Sequence, residues 1–70
     1  MTTAEIIKAA RERKGLSMKQ LSEKSGISVQ SIWNIEKEKT NPTMDTMLAL
    51  MRAMDYDIVF KPKYKGGYYE

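Results

Sequence analysis

The stretch at residues 16–39, LSMKQLSEKSGISVQSIWNIEKEK, reads as two short helices joined by a tight turn. Gly26 stands at the turn, where the end of a helix needs a residue that tolerates positive φ. Ser17 precedes the first of these helices and Gln20 follows three residues on, the spacing of a capping box. Leu16 and Leu21 flank that cap as a hydrophobic staple. Ser28 caps the second helix, and Ile27 and Ile32 repeat the staple. Met18, Leu21, Ile27, Ile32 and Ile35 supply the apolar positions, and Ser22 is small where the two helices have to touch. This arrangement describes a helix-turn-helix, whose second helix can enter a DNA major groove.

Toward the N-terminus, Thr2 and Glu5 form another capping box, with Met1 and Ile6 as its staple. The helix they open runs to about Lys14 and is ended by Gly15. Its apolar face is Ile6, Ile7 and Ala10, a thin stripe that needs a partner to cover it. The two central helices are expected at Met18–Ser25 and at residues 29–37. Beyond them, residues 38–42 are polar and end in the turn signal Asn41-Pro42. Thr43 caps a fourth helix with Asp45 in its first turn, where the helix dipole favours a negative charge. Met44, Met47, Leu48, Met51 and Met54 recur there at helical spacing, and the methionines read as core.

At Tyr56 the period changes. Tyr56, Ile58 and Phe60 alternate with Asp57, Val59 and Lys61, a strand signature over residues 57–62 that Pro62 keeps short. A lone strand in a helical chain leaves an unpaired edge. It is therefore expected to pair, antiparallel, with the same strand of a second copy, making Tyr56, Ile58, Val59 and Phe60 the dimer interface. The rival is a hairpin within one chain, turning at Gly66-Gly67 with Tyr68 and Tyr69 in its second arm; otherwise residues 63–70 are a mobile tail. The expected architecture is all-α: a helix-turn-helix domain of four helices over residues 1–56, then a dimerisation strand and tail over 57–70.

Residues 5–54 resemble the Cro/repressor-type (XRE family) helix-turn-helix proteins. The segments RERKGLS, QLSEKSGIS and SIWNIEKEKTNP, and the helix after Pro42, fall in that family's order and spacing. The chain departs from the pattern at Met18, where the family often has Gln, at Ser22, often Ala, and at Glu38-Lys39, often Gly-Lys. The resemblance implies a lambda-repressor-like fold. It is similar to phage repressors and to compact antitoxin-like members, in which a strand replaces the fifth helix and pairs between subunits. Some phage repressors read a narrow minor groove with an arginine near the position of Thr43, and no basic residue stands there.

In helix-turn-helix geometry, Ser28, Val29, Gln30 and Asn34 face base edges. Gln and Asn can bond adenine bidentately, and Val can touch a thymine methyl. The resemblance implies that phosphates are held by Met18 and Lys19 at the start of the second helix and by Lys37, Lys39, Thr40 and Asn41 after the third. The physics is anion capture at a helix N-terminus together with point charges. It also implies an ion pair from Arg11 to Glu36 that ties the first helix to the third, with Arg11 able to face a phosphate as well. Trp33 lies between the core positions Ile32 and Ile35. It points partly outward, either to pack on the DNA backbone or a thymine methyl, or to be partly buried against a partner subunit or the fourth helix.

Seventy residues allow one domain with a small core, which dimerisation would help. Twelve Lys and Arg against nine Asp and Glu give a net charge of +3, compatible with a nucleic-acid partner. The absence of Cys and His removes disulfides, thiolates and the usual proton shuttle. Glu36 and Glu38 are two apart on a helix and do not face each other. No metal cluster and no Gly-rich phosphate loop are present, so neither an enzyme, a metal nor a cofactor is expected. No apolar run approaches a membrane span, and a cytoplasmic, bacterial or phage-encoded protein is expected. The expected function is a homodimeric, sequence-specific repressor on a palindromic operator. The alternative is an antitoxin of a type II toxin–antitoxin pair that neutralises a toxin protein and represses its own operon.

Overall fold

Each of the four helices opens on a hydroxyl cap. In the computed structural model, which describes residues 2–62, α1 (Thr3–Arg13), α2 (Met18–Ser25), α3 (Val29–Glu36) and α4 (Met44–Ala53) follow in order. Thr2, Ser17, Ser28 and Thr43 each accept the backbone N–H of the residue three positions on. At α1 and α2 the reciprocal bond is also made: the N–H groups of Thr2 and Ser17 donate to Glu5 and Gln20 at 2.8 Å. Met1, the other half of the expected α1 staple, lies outside the described residues, as do the hairpin turn and tail at 63–70.

Three helices end in one geometry. Leu16 N–H donates to the Arg11 carbonyl, Lys39 to Asn34 and Tyr56 to Met51. Inside each, Gly15 donates to Glu12, Glu38 to Ile35 and Asp55 to Arg52. This pair of bonds is the Schellman closure, and it requires a left-handed residue just past the helix. Gly15, Glu38 and Asp55 occupy that place at φ 70°, 61° and 67°. α2 closes more simply, with Gly26 at φ 80° donating to Ser22.

The helices enclose one core. Ile7, Leu21, Ile32 and Leu50, one from each helix, and Met54 at the end of α4 are fully enclosed, with Ala10, Ile35 and Met51 beside them. α1 packs on α3 and α4, and α2 on α3 and α4. Leu16, Met18 and Ile27 close the core at the helix junctions.

Two apolar stripes are rotated from their expected places. On α1, Ala4 is buried and Ile6 is exposed. Ala4, Ile7 and Ala10 lie within about 60° of one another's neighbours around the helix, whereas Ile6 is turned about 100° from Ile7. On α4 the core is reached by Met47, Leu50, Met51 and Met54, while Met44 is half exposed and Leu48 lies outside the core cluster. At 3.6 residues per turn, Leu48 stands about 110° from the centre of that stripe.

The expected strand and its pairing with a second copy are not seen in the single chain. Residues 57–62 carry no strand ladder, because a strand exists only through hydrogen bonds to a second one and the single chain offers none. The alternating pattern is used in another way. Tyr56 and Ile58 pack against the chain's own core, and the Lys14 ammonium lies 5.3 Å from the Tyr56 ring centroid. Val59 and Phe60 are left largely exposed. Phe60 and Ile58 border a groove of about 490 Å³ whose other apolar walls are Ile6, Pro42, Met44, Met47 and Met51. Among the described residues, no helix is long and apolar enough to cross a membrane.

Candidate nucleic-acid interface

α3 is set by an ion pair at its far end and a cap at its near end. Glu36 is almost wholly enclosed, its side chain 2% exposed, and Arg11 forks onto it: Nε donates to Oε2 at 2.7 Å and an Nη to Oε1 at 2.9 Å. The other Arg11 Nη donates to the Leu16 carbonyl at 2.9 Å. A planar guanidinium suits this bidentate work. The bond to Glu36 raises the Arg11 pKa above its ordinary value, against an opposing effect of burial. A raised cation stabilises the fold at every pH below its unfolded value, and that stabilisation is lost only in strong alkali. Three of the five guanidinium donors are committed inside the protein, so Arg11 offers little to a phosphate. Among the described residues no buried side-chain polar atom lacks a partner.

At the near end, the Ser28 hydroxyl accepts from Ser31 N–H at 3.1 Å and donates to the Ser31 hydroxyl at 2.9 Å. Ser28 is thus occupied as a cap. Val29 and Gln30 follow on the exposed first turn. Gln30 donates from its amide to the Asn34 side-chain oxygen at 3.1 Å, a pairing open to residues four apart on a helix. Among the described residues the Gln30 carbonyl and its second N–H have no other partner, and the bond favours one orientation of the amide. That is the donor–acceptor pair an adenine edge takes.

The start of α2 has the makings of an anion site. Its capping box uses the N–H groups of Ser17 and Gln20, and Leu21 N–H goes to the Ser17 carbonyl. The N–H groups of Met18 and Lys19 are left at the positive end of the helix with no acceptor among the described residues. The Met18 side chain packs on the core, so only its backbone is available, whereas Lys19 is exposed. Lys37, Lys39, Thr40 and Asn41 are exposed beyond α3. Two features were not legible beforehand. The Lys37 and Lys39 ammoniums both face the Trp33 ring, and Glu38 between them is left-handed. The family's glycine at this place was the available signal for the second. Among the described residues, no group of acidic, Cys or His side chains could hold a metal ion.

The whole arrangement has counterparts in known sequences. Residues 7–61 match the family model described as helix-turn-helix. An uncharacterized HTH-type transcriptional regulator of Sinorhizobium fredii is 35% identical over 57 residues, covering 81% of this chain and 29% of the relative. The immunity repressor protein of Bacillus phage phi105 is 33% identical over 58 residues, covering 83% and 40%. An uncharacterized HTH-type transcriptional regulator of Haemophilus influenzae is 36% identical over 53 residues, covering 76% and 54%. The chain therefore spans between 29% and 54% of the length of these relatives. No solved structure matches the chain. With the four capped helices and the α2–turn–α3 unit described above, the matched span of 7–61 makes this chain a member of the XRE-type helix-turn-helix family.

Proposed function

We propose that the chain is a DNA-binding transcriptional regulator, with α3 as its recognition helix and repression of a palindromic operator by a homodimer as its mode of action. The observation that carries this reading is the exposed, pre-oriented Gln30–Asn34 amide pair. It is flanked by the open N–H groups at the start of α2 and by the lysines after α3. Gln30, Asn34 and Val29 read bases, Ser28 chiefly holds the helix start, and Lys19, Lys37, Lys39, Thr40 and Asn41 meet phosphates. Arg11 and Glu36 fix the angle of α3. The relatives' names as transcriptional regulators and as an immunity repressor support the same reading. Nothing in this chemistry calls for catalysis or a cofactor.

The dimer rests on residues 57–62. Val59 and Phe60 expose large apolar surface beside an apolar groove, and among the described residues the backbone of this segment has no strand partner. Antiparallel pairing with a second copy would satisfy both and would set two recognition helices about one helical turn of DNA apart, roughly 34 Å. The toxin-neutralising alternative draws on residues 63–70, which lie outside the described residues.

Selection of duplexes from a random pool tests the reading. The expected outcome is an enriched inverted repeat, bound by two copies in light scattering. A pool that emerges without sequence preference overturns it. Cutting the chain after Tyr56 tests the dimer: it should yield monomers and much weaker operator binding, whereas an unchanged dimer places the interface elsewhere.

A further inference from the structure

Trp33 is the chain's single tryptophan. It stands on α3 between two fully buried or nearly buried isoleucines, Ile32 and Ile35, yet is itself 37% exposed. The core closes without it. The Nζ atoms of Lys37 and Lys39 lie 6.0 Å and 5.8 Å from its ring centroid, within the range at which an ammonium is drawn to the negative face of an indole. Neither lysine is ion-paired among the described residues. Two like charges are therefore gathered around one aromatic ring, and among the described residues no carboxylate is close enough to pair with either. Val29, Trp33 and Lys37 are four residues apart and line one flank of α3. That flank begins at the exposed first turn assigned to base contact.

Resting on the DNA-binding reading above, we propose that Trp33 is a nucleic-acid contact. Its ring packs on a deoxyribose of the backbone and holds Lys37 and Lys39 as a two-point clamp on the adjoining phosphate. The indole does two things that separate lysines cannot. It restricts two long side chains before the anion arrives, which lowers the ordering cost on binding. It also offsets their mutual repulsion until a phosphate neutralises both. The sugar supplies an apolar face for the remaining exposed ring, so the contact is indifferent to sequence. Affinity should depend on Trp33 and preference should not.

The test uses the full chain, a fluorescein-labelled duplex to follow binding by anisotropy, and the same duplex unlabelled to follow tryptophan emission. Emission is expected to change in step with anisotropy. Trp33→Ala is expected to weaken binding about tenfold and to flatten the salt dependence by about one to two units. Trp33→Phe should restore most of both, and the bases selected by Trp33→Ala should match those of wild type. Emission that stays constant while anisotropy saturates overturns the proposal, and this needs no variant to fold. So does a Trp33→Ala chain with wild-type affinity and salt slope. If wild type fails to bind the duplex even at low salt, the DNA-binding reading itself falls; if it binds with Trp33 silent, only the clamp does.

Discussion

The ends of α1 and α3 are closed by the same two backbone bonds and joined to each other, yet they are built from opposite residues. At α1 the left-handed position is Gly15 and at α3 it is Glu38, at φ 70° and 61°. Arg11, whose carbonyl accepts in the α1 closure, forks onto Glu36 one turn before the α3 closure ends. The α1 end is relaxed, since glycine enters this region without steric cost. The α3 end holds a side chain where L-residues are disfavoured, and it does so between the two lysines that flank Trp33. Backbone strain of this kind persists where the surroundings over-determine it. Here they consist of a buried ion pair on one side and the Schellman bonds on the other. The lesson is that one turn geometry can be reached with glycine at no steric cost or, as at Glu38 and Asp55, with a side chain held where L-residues are disfavoured.

Cutting the tie between the two ends should have the largest effect. Glu36→Ala leaves Arg11 buried without its anion, and a denaturant melt should show a loss of about 3 kcal/mol or more. A loss below about 1 kcal/mol would mean the pair behaves as a surface bridge. Gln30→Ala lies on the same helix but away from its closed end, so it should leave the melt nearly unchanged. It should cost about 1–3 kcal/mol on the preferred operator and blur preference at one base pair; a mutant that selects the same sites as wild type removes Gln30 from readout.

The next two changes are a matched pair at the left-handed positions. A Cβ at Gly15 would meet nothing within 4 Å, so Gly15→Ala isolates the backbone term and should destabilise by about 1–2 kcal/mol. Glu38→Gly removes the corresponding strain and should stabilise by somewhat less, about 0.5–1 kcal/mol, because glycine also loosens the unfolded chain. It takes a negative charge from between Lys37 and Lys39 as well, so binding to duplexes of any sequence should strengthen. A Glu38→Gly chain less stable than wild type would show that the α3 end carries no such strain.

The caps were readable in the sequence because they are local: Thr2, Ser17, Ser28 and Thr43 each bond three residues on, and the motif lies within four letters. Gly15 and Gly26 announced their turns for the same reason. Glu38 and Asp55 did not, since a charged residue becomes left-handed only when the whole closure demands it. Leu50 was missed because Met44 and Leu48 also fit a helical repeat, and only the position of α2 decides which side of α4 faces inward. The alternation at 56–60 was real, but a period of two says that alternate side chains share a side, not that a second strand is present. For the interface, the polar face of α3 could be placed from the turn at Gly26. The gathering of Lys37 and Lys39 on Trp33 depends on the closure at Glu38 and was invisible before it.

The Arg11–Glu36 pair also has a bearing on how fast the chain folds and unfolds. Its partners are 25 residues apart, whereas every other side-chain hydrogen bond among the described residues spans five or fewer. Caps and turns can form within separate helices in microseconds, but this ion pair needs α1 already docked across α3. It is therefore expected to form late in folding and to act as a latch. In a chevron, Glu36→Ala should steepen escape from the native state by raising the unfolding rate while leaving the refolding rate almost where it was. On that expectation the tilt of α3 is held by a slow exit more than by a fast entry.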